Sequence, residues 1–146
     1  MEDEIHDVLV AEDDKDDFEI LADVIKDHSV KVLVTHAENG DILMRMIHEK
    51  IPDLLFLDLV MPCRDGRTCI QEIRADKKFD GLPVIIYTSV RDINAVEFCF
   101  RNGSNMYVLK PETYSEIVDV VRRILSVQWK KLQYYPTRSG FILNPD

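Results

Sequence analysis

The fold class of this chain of 146 residues follows from one stretch, Asp53-Leu54-Leu55-Phe56-Leu57-Asp58-Leu59-Val60-Met61-Pro62. Its apolar centre favours burial on both faces, which is typical of a central strand in a parallel sheet. The strand ends on the carboxylate of Asp58. Because burying an unpaired charge is costly, we expect Asp58 to lie at the rim of the sheet. Ligands bind at the carboxyl ends of the strands in open α/β sheets, so this position is typical of a functional group.

Short apolar strands alternate with amphipathic helices along the rest of the chain. We predict strands at residues 8–11, 31–35, 53–58, 84–88 and 106–109, each followed by apolar residues at helical spacing. Helix-boundary signals agree with this division, since Asn39-Gly40-Asp41 begins one helix and Asn102-Gly103 ends another. The alternation predicts an α/β fold with a parallel sheet covered by helices on both faces.

Composition narrows the function classes. Hydrophobic residues make up 46% of the chain, which suits one domain with a packed core. The 27 acidic and 18 basic residues give a net charge of −9. This balance argues against nucleic-acid partners and against an anionic membrane surface. No apolar run approaches the length of a membrane span and no signal-peptide pattern occurs, so we expect a soluble cytoplasmic protein.

Cysteine and histidine residues give no signal for a metal centre. The cysteine count is odd and C-x-x-C spacing is absent, so we expect free, mostly buried thiols. The histidines show no paired ligand spacing and are interpreted as surface or rim residues. These residues are Cys63, Cys69, Cys99, His6, His28, His36 and His48.

Polar residues follow the other predicted strands at the same end. Glu12-Asp13-Asp14 follows the first strand, Thr88-Ser89 ends the fourth, and Lys110 follows the fifth. Two carboxylates about 4 Å apart repel by roughly 4 kcal/mol at an effective dielectric constant near 20, so a converging acidic cluster favours a bound cation. Oxygen ligands open to water suit Mg²⁺. A remaining carboxylate can act as a nucleophile and form an acyl phosphate, with Lys110 and Thr88 stabilising the phosphoryl oxygens.

Each of these features alone has an ordinary structural explanation. Asp14 and Asp16 suit the N-cap and first turn of a helix, where carboxylates are favourable. A lone lysine is usually solvated, and an aromatic residue such as Tyr107 in an edge strand is often packing. Their joint occurrence after successive strands favours the functional interpretation.

At these residues the chain resembles the receiver domains of two-component response regulators, the CheY-like family. The motifs are Val8-Leu9-Val10-Ala11-Glu12-Asp13-Asp14, Leu57 to Pro62 with Asp65-Gly66, Tyr87-Thr88-Ser89, and Tyr107-Val108-Leu109-Lys110-Pro111. The resemblance covers residues 5–127. It implies a flavodoxin-like, doubly wound five-stranded parallel sheet in the order 2-1-3-4-5 with five flanking helices.

The resemblance implies a phosphorelay protein. Asp58 matches the residue that accepts a phosphoryl group from a sensor histidine kinase or a phosphotransfer protein. Thr88 and Lys110 match the residues that contact this group, and Tyr107 matches an aromatic switch that turns inward when Thr88 moves toward the phosphate. Such a protein catalyses its own phosphorylation and dephosphorylation but is not otherwise an enzyme.

The resemblance also implies the ligands of Mg²⁺. Asp13 would bind the ion directly, Glu12 would act mainly through water, and Asp58 and the backbone carbonyl of Val60 would complete the protein ligands. The chain departs from the pattern in having Glu12 in place of an aspartate, which leaves metal binding intact. Apolar Val60 puts the rate of dephosphorylation in doubt, because a polar group there could position the attacking water.

Residues 126–146 are too few for a helix-turn-helix unit, so we expect output through protein contacts on residues 91–126. Residues 128–146 are assigned as an extension of the last helix followed by a tail. They are similar to the tails of stand-alone receivers paired with bacterial phytochromes. We expect this tail to pack on its own domain or across a homodimer; the sequence does not identify the downstream partner.

Three alternatives compete with a signalling receiver. A haloacid-dehalogenase phosphatase needs a second aspartate where Val60 stands. A flavin or nucleotide carrier needs a glycine-rich or hydroxyl-rich loop after the first strand, where acids occur instead. A phosphorylation-independent interaction module, or pseudo-receiver, would keep the acidic site as a relic and stays open.

Overall fold

The computed structural model describes residues 5–129 and 140–143. Six strands and five α-helices alternate along these residues, and a short 3₁₀ helix at Lys77–Phe79 precedes the fourth strand. The elements are β1 (Asp7–Ala11), α1 (Lys15–His28), β2 (Leu33–Ala37), α2 (Gly40–Glu49), β3 (Leu54–Leu57), α3 (Gly66–Ala75), β4 (Val84–Thr88), α4 (Ile93–Arg101), β5 (Met106–Leu109), α5 (Tyr114–Leu125) and β6 (Ile142–Leu143).

The strands form one parallel sheet in the order β2-β1-β3-β4-β5-β6. The predicted flavodoxin-like order 2-1-3-4-5 and its five α-helices are therefore confirmed. The sixth strand was not predicted. It pairs in parallel with β5, with Tyr107 opposite Ile142 and Val108 opposite Leu143. A strand of two residues is too short to produce a readable alternation of apolar and polar side chains.

The sheet separates two hydrophobic clusters. Alternate residues of β3 point to opposite faces, so Leu55 and Leu57 join one cluster while Leu54 and Phe56 join the other. The first cluster packs under α2, α3 and α4, and the second packs under α1 and α5. Every residue of β3 and β4 is buried, which explains their continuous apolar sequence.

Polar side chains fix where the helices begin. Asp14, Asn39 and Asp65 each accept a hydrogen bond from a backbone N–H in the first turn of the helix that follows. The predicted role of Asp14 as an N-cap is confirmed. At the end of α4, Asn102 is the C-cap and Gly103 has φ of 82°, the left-handed conformation that glycine adopts without strain.

The segment after α5 departs from the prediction of an extended last helix. Helix α5 ends at Leu125, and residues 126–129 form a turn instead. Trp129 is buried and its indole N–H donates a hydrogen bond of 2.9 Å to the carbonyl of Ile124. The same carbonyl also accepts a hydrogen bond of 3.2 Å from the N–H of Val127, so the indole reinforces the end of α5. Most of the predicted aromatic tail lies outside the described residues.

Cys69 and Cys99 are buried free thiols and Cys63 is exposed, so the three predicted free cysteines are confirmed. Burial raises the pKa of Cys69 and Cys99 to about 12, which keeps both thiols protonated and unreactive at neutral pH. Among the described residues, none of the helices has the length and apolarity required to cross a bilayer.

Candidate functional site

The carboxyl ends of four neighbouring strands meet at one rim of the sheet. Glu12 and Asp13 follow β1, Asp58 follows β3, Thr88 ends β4, and Lys110 follows β5. The parallel register places these strand ends side by side, and all five residues line one cleft of about 340 Å³. The structure thus brings together the predicted phosphoacceptor, the predicted metal ligands and the predicted phosphoryl contacts.

Asp58 is held by hydrogen bonds to both of its carboxylate oxygens. Its Oδ1 accepts from the hydroxyl of Thr88 at 2.7 Å and from the backbone N–H of Val60 at 3.1 Å. Its Oδ2 accepts from the ammonium of Lys110 at 2.9 Å. Only 5% of Asp58 is exposed, so these donors replace the water that a carboxylate otherwise requires. The nucleophile candidate is therefore fixed in orientation at the floor of the cleft.

Lys110 connects three carboxylates. Its Nζ lies 2.7 Å from Glu12 Oε1, 2.8 Å from Asp17 Oδ2 and 2.9 Å from Asp58 Oδ2. Burial disfavours the charged ammonium, but hydrogen bonds to the three acids outweigh burial and raise the pKa of Lys110 above its usual value. Lys110 therefore stays positively charged and provides fixed positive charge beside Asp58.

Asp17 was not singled out from the sequence. It lies in the first turn of α1, where an acid is favourable for the helix dipole alone, so its type gave no functional signal. The structure adds a second role, since its carboxylate is hydrogen-bonded to Lys110 across the cleft. Only the packing of α1 against the sheet brings these two residues together.

The acidic residues fit a divalent cation. Carboxylate oxygens of Glu12, Asp13 and Asp58 all lie within 4.8 Å of one another. Burial, with a further contribution from the charge of Asp58, raises the pKa of Glu12 to about 8 despite its hydrogen bond to Lys110. Five acidic residues, including Asp14 and Asp17, line the cleft with one lysine. Oxygen-only ligands with this excess of negative charge suit Mg²⁺.

The metal candidates differ in exposure. Asp13 is exposed at the mouth of the cleft, whereas Glu12 is only 2% exposed and also accepts a hydrogen bond from the backbone N–H of Asp14. Val60, whose carbonyl is the remaining predicted ligand, lines the same cleft with its side chain turned largely to solvent. This exposed apolar side chain leaves the cleft without a polar group at that position.

A close backbone approach holds the loop after Asp58. A Cβ atom on Gly66 would lie 2.3 Å from the carbonyl oxygen of Asp58, so only glycine allows this contact. The N–H of Gly66 also donates to the carbonyl of Leu59 at 3.0 Å. Cys63 in the same loop has φ of 70°, an unusual conformation for a residue with a side chain. The start of α3 is thereby fastened directly to the end of β3.

The two predicted switch residues are both turned inward. Thr88 is fully buried against Asp58, and Tyr107 is fully buried with its hydroxyl donating to the carbonyl of Val90 at 2.6 Å. The backbone N–H of Val90 in turn lies 3.4 Å from the Thr88 hydroxyl. A continuous set of contacts therefore runs from Asp58 through Thr88 and Val90 to Tyr107.

Comparison with known proteins defines the class to which this fold and site belong. The model of the response regulator receiver domain family matches residues 8–122. This match covers most of the chain, so the chain belongs to the response regulator receiver domain family, whose members act in two-component signalling.

One curated relative is the C4-dicarboxylate response regulator DctR of Bacillus subtilis. It is 36% identical over 104 residues, which cover 71% of this chain and 45% of DctR. The chain therefore spans less than half the length of this relative.

Solved structures show the same fold. A response regulator from Chloroflexus aurantiacus is 30% identical with a TM-score of 0.73, covering 85% of this chain and 100% of that chain. The phosphorylated cyanobacterial phytochrome response regulator RcpA has a TM-score of 0.79 but 21% identity, covering 88% of this chain and 96% of that chain. The likeness to RcpA is one of fold, and the predicted similarity of the tails stays a prediction.

Proposed function

We propose that this receiver takes a phosphoryl group onto Asp58 with the help of Mg²⁺ and signals through phosphorylation-dependent protein contacts. The observation that carries the proposal is the set of bonds to Asp58. Its two carboxylate oxygens already contact the hydroxyl of Thr88 and the ammonium of Lys110. These two donors can move from the free carboxylate to the oxygens of an attached phosphoryl group without a change of fold.

The chemistry is the transfer of a phosphoryl group between two nucleophiles. An oxygen of Asp58 forms a bond to phosphorus, while the bond from phosphorus to the donor breaks and its electron pair leaves with the donor. Mg²⁺ bound by Asp13, Asp58 and the carbonyl of Val60, with Glu12 acting through water, would neutralise part of the phosphoryl charge. Hydrolysis by water then restores the carboxylate and releases inorganic phosphate.

Each residue of the site has a separate role in phosphoryl transfer, set by its position. Lys110 places a positive charge beside the nucleophile, and Thr88 donates a hydrogen bond that can report the presence of the phosphoryl group. Asp17 and Glu12 hold the Lys110 ammonium in place through bonds of 2.8 and 2.7 Å. Interactions that are in place before the reaction cost no reorganisation when charge develops.

The donor would be a histidine kinase or a phosphotransfer protein, since receiver domains interact with these proteins. The proposed output surface is formed by α4 and α5, on the two sides of the sheet edge where β6 pairs with β5. Exposed apolar side chains on this surface include Ile93, Tyr114 and Val118. They offer contact area for a protein partner. Formation of a homodimer stays a prediction.

Intact-mass analysis tests the proposal. The wild-type chain is incubated with acetyl phosphate and Mg²⁺ beside Asp58→Asn and Asp16→Asn. We expect a phosphate adduct on the wild type and on Asp16→Asn, because Asp16 is an exposed acid in the first turn of α1. Asp58→Asn should remain unmodified, and chelation of Mg²⁺ should abolish the adduct on every chain.

Two results would overturn the proposal. An equal adduct on Asp58→Asn would show that another residue is modified. Unmodified wild type, with the purified chain folded, would leave the phosphorylation-independent interaction module as the better description of this protein.

A further inference from the structure

The sixth strand occupies the edge of the sheet beside the switch residue. The carbonyl of Phe141 accepts a hydrogen bond of 2.9 Å from the N–H of Tyr107, and Ile142 lies opposite Tyr107 in the parallel register. Paired residues of a parallel sheet project to the same face, so β6 stands between Tyr107 and solvent at this edge. The outward path of the tyrosine ring is thus covered by the chain's own tail.

Phe141 is packed between the switch and the helix above it. Its ring centroid lies 6.1 Å from that of Tyr107 and 5.3 Å from that of Phe100 on α4, and both distances are within the range of favourable aromatic pairs. Only 1% of Phe141 is exposed. Leu143, two residues later, packs against the cluster on the opposite face under α5. Residues 140–143 therefore close the sheet edge between α4 and α5.

We propose that residues 140–143 bind along the edge of β5 and hold Tyr107 inward. This contact shifts the equilibrium toward the phosphorylated form of Asp58. The coupling runs through contacts that the structure contains: Phe141 packs on Tyr107, Tyr107 binds Val90, and Val90 lies beside the Thr88 hydroxyl. This inference rests on the proposed function, because it requires Asp58 to be the phosphorylated residue.

Thermodynamic linkage makes the effect reciprocal. If docking of residues 140–143 favours the phosphoryl-loaded site, then loading the site must favour docking by the same factor. Coupling between sites in one protein typically changes affinity by about fivefold to 150-fold. A change of at least about fivefold in both directions is therefore expected.

Hydrogen exchange of the wild-type chain tests one direction. The backbone amides of residues 141–143 are followed by NMR with Mg²⁺ alone and with Mg²⁺ plus beryllofluoride. Beryllofluoride binds an aspartate carboxylate and mimics a phosphoryl group. We expect exchange at these amides to slow by about fivefold or more when the site is loaded. The resonance shift of Asp58, the residue to which beryllofluoride binds, reports loading directly. Loading without slower exchange would overturn the inference while leaving the proposed function intact.

A matched pair of variants tests whether residues 140–143 favour loading of Asp58. Phe141→Leu removes the aromatic contact, and Phe79→Leu trims an equally buried phenylalanine that precedes β4, at the end of that strand away from Thr88. We expect the concentration of beryllofluoride needed for half loading to rise by about fivefold for Phe141→Leu and to stay unchanged for Phe79→Leu. Equal weakening by both variants, or unchanged loading of Phe141→Leu, would overturn the inference.

The two failures are distinguishable. If wild type shows no loading by beryllofluoride and no adduct with acetyl phosphate, the proposed function fails and the inference fails with it. If wild type loads normally, every remaining result bears on the tail alone.

Discussion

The two edges of the sheet are built differently. At one edge, β2 has a neighbour on one side only among the described residues. Its first four side chains alternate between exposed and half-buried, and Ala37 is buried. Leu33 there is 57% exposed. At the other edge, β5 is covered by β6, and Tyr107 and Val108 are fully buried. Lys110 follows β5 and Thr88 ends the neighbouring β4, so two of the five site residues lie on the strands nearest the covered edge.

The largest expected effect compares apolar residues at the two edges. Phe141→Ala should lower the free energy of unfolding by about 3 to 5 kcal/mol, because it removes a buried aromatic side chain and leaves a cavity. Leu33→Ala should change it by less than about 0.5 kcal/mol, because Leu33 is largely exposed. Urea denaturation of both variants measures the difference. A loss below about 1 kcal/mol for Phe141→Ala would mean that β6 is undocked in solution.

The next effect compares two lysine ion pairs. Lys110→Met should destabilise the fold by about 3 kcal/mol, because it leaves buried carboxylates without their cation. The cost lies at the lower end for a buried pair, since the pKa of Glu12 is already near 8 and a proton can replace part of the lost charge. Lys50→Met is the control: Lys50 pairs with Asp7 at 3.2 Å but is 73% exposed, so its loss should cost at most about 1 kcal/mol. Similar losses for both variants would contradict the description of a buried charge cluster.

A smaller effect compares two tyrosine hydroxyls. Tyr107→Phe removes the hydroxyl that donates to the carbonyl of Val90 and should cost about 1 to 3 kcal/mol, because that partly buried carbonyl loses its partner. Tyr114 on α5 is 55% exposed, so Tyr114→Phe should change stability by less than about 0.5 kcal/mol. Thermal unfolding monitored by circular dichroism compares the two. Equal shifts in melting temperature would show that the bond to Val90 carries no free energy of its own.

The smallest effect concerns the acids between the two edges. Without Mg²⁺, Asp13→Asn should raise the free energy of unfolding by up to about 1 kcal/mol, because it relieves repulsion among the carboxylates around Asp58. Addition of Mg²⁺ should stabilise the wild type and Asp16→Asn, since a ligand that binds the folded state stabilises it. Asp13→Asn should gain less from Mg²⁺ at every concentration. Melting curves at increasing Mg²⁺ concentration provide the comparison, and an equal gain for Asp13→Asn would exclude Asp13 as a ligand.

Strand β6 and the contact of Asp17 with Lys110 could not be predicted from the sequence. Central strands such as β3 and β4 are buried on both faces, so their apolar runs are unambiguous. Strand β6 has two residues and forms only because β5 offers unpaired backbone groups and Phe141 finds a place beside Phe100 and Tyr107. Asp17 acquires its contact with Lys110 from across the cleft, 93 residues away in sequence. No local pattern encodes either contact.

Local sequence patterns were enough to predict the five-strand parallel core, the acids after β1 and β3, the hydroxyl at the end of β4 and the lysine after β5. The spacing of apolar residues and the type of polar residue after each strand are local properties of the sequence. Parallel strands place their carboxyl ends at the same rim of the sheet. The contact of Asp17 with Lys110, the burial of Tyr107 and the return of residues 140–143 to the edge beside it are visible only in the folded structure. Those outcomes depend on long-range packing, in which burial and charge compete among residues that the chain brings together only on folding.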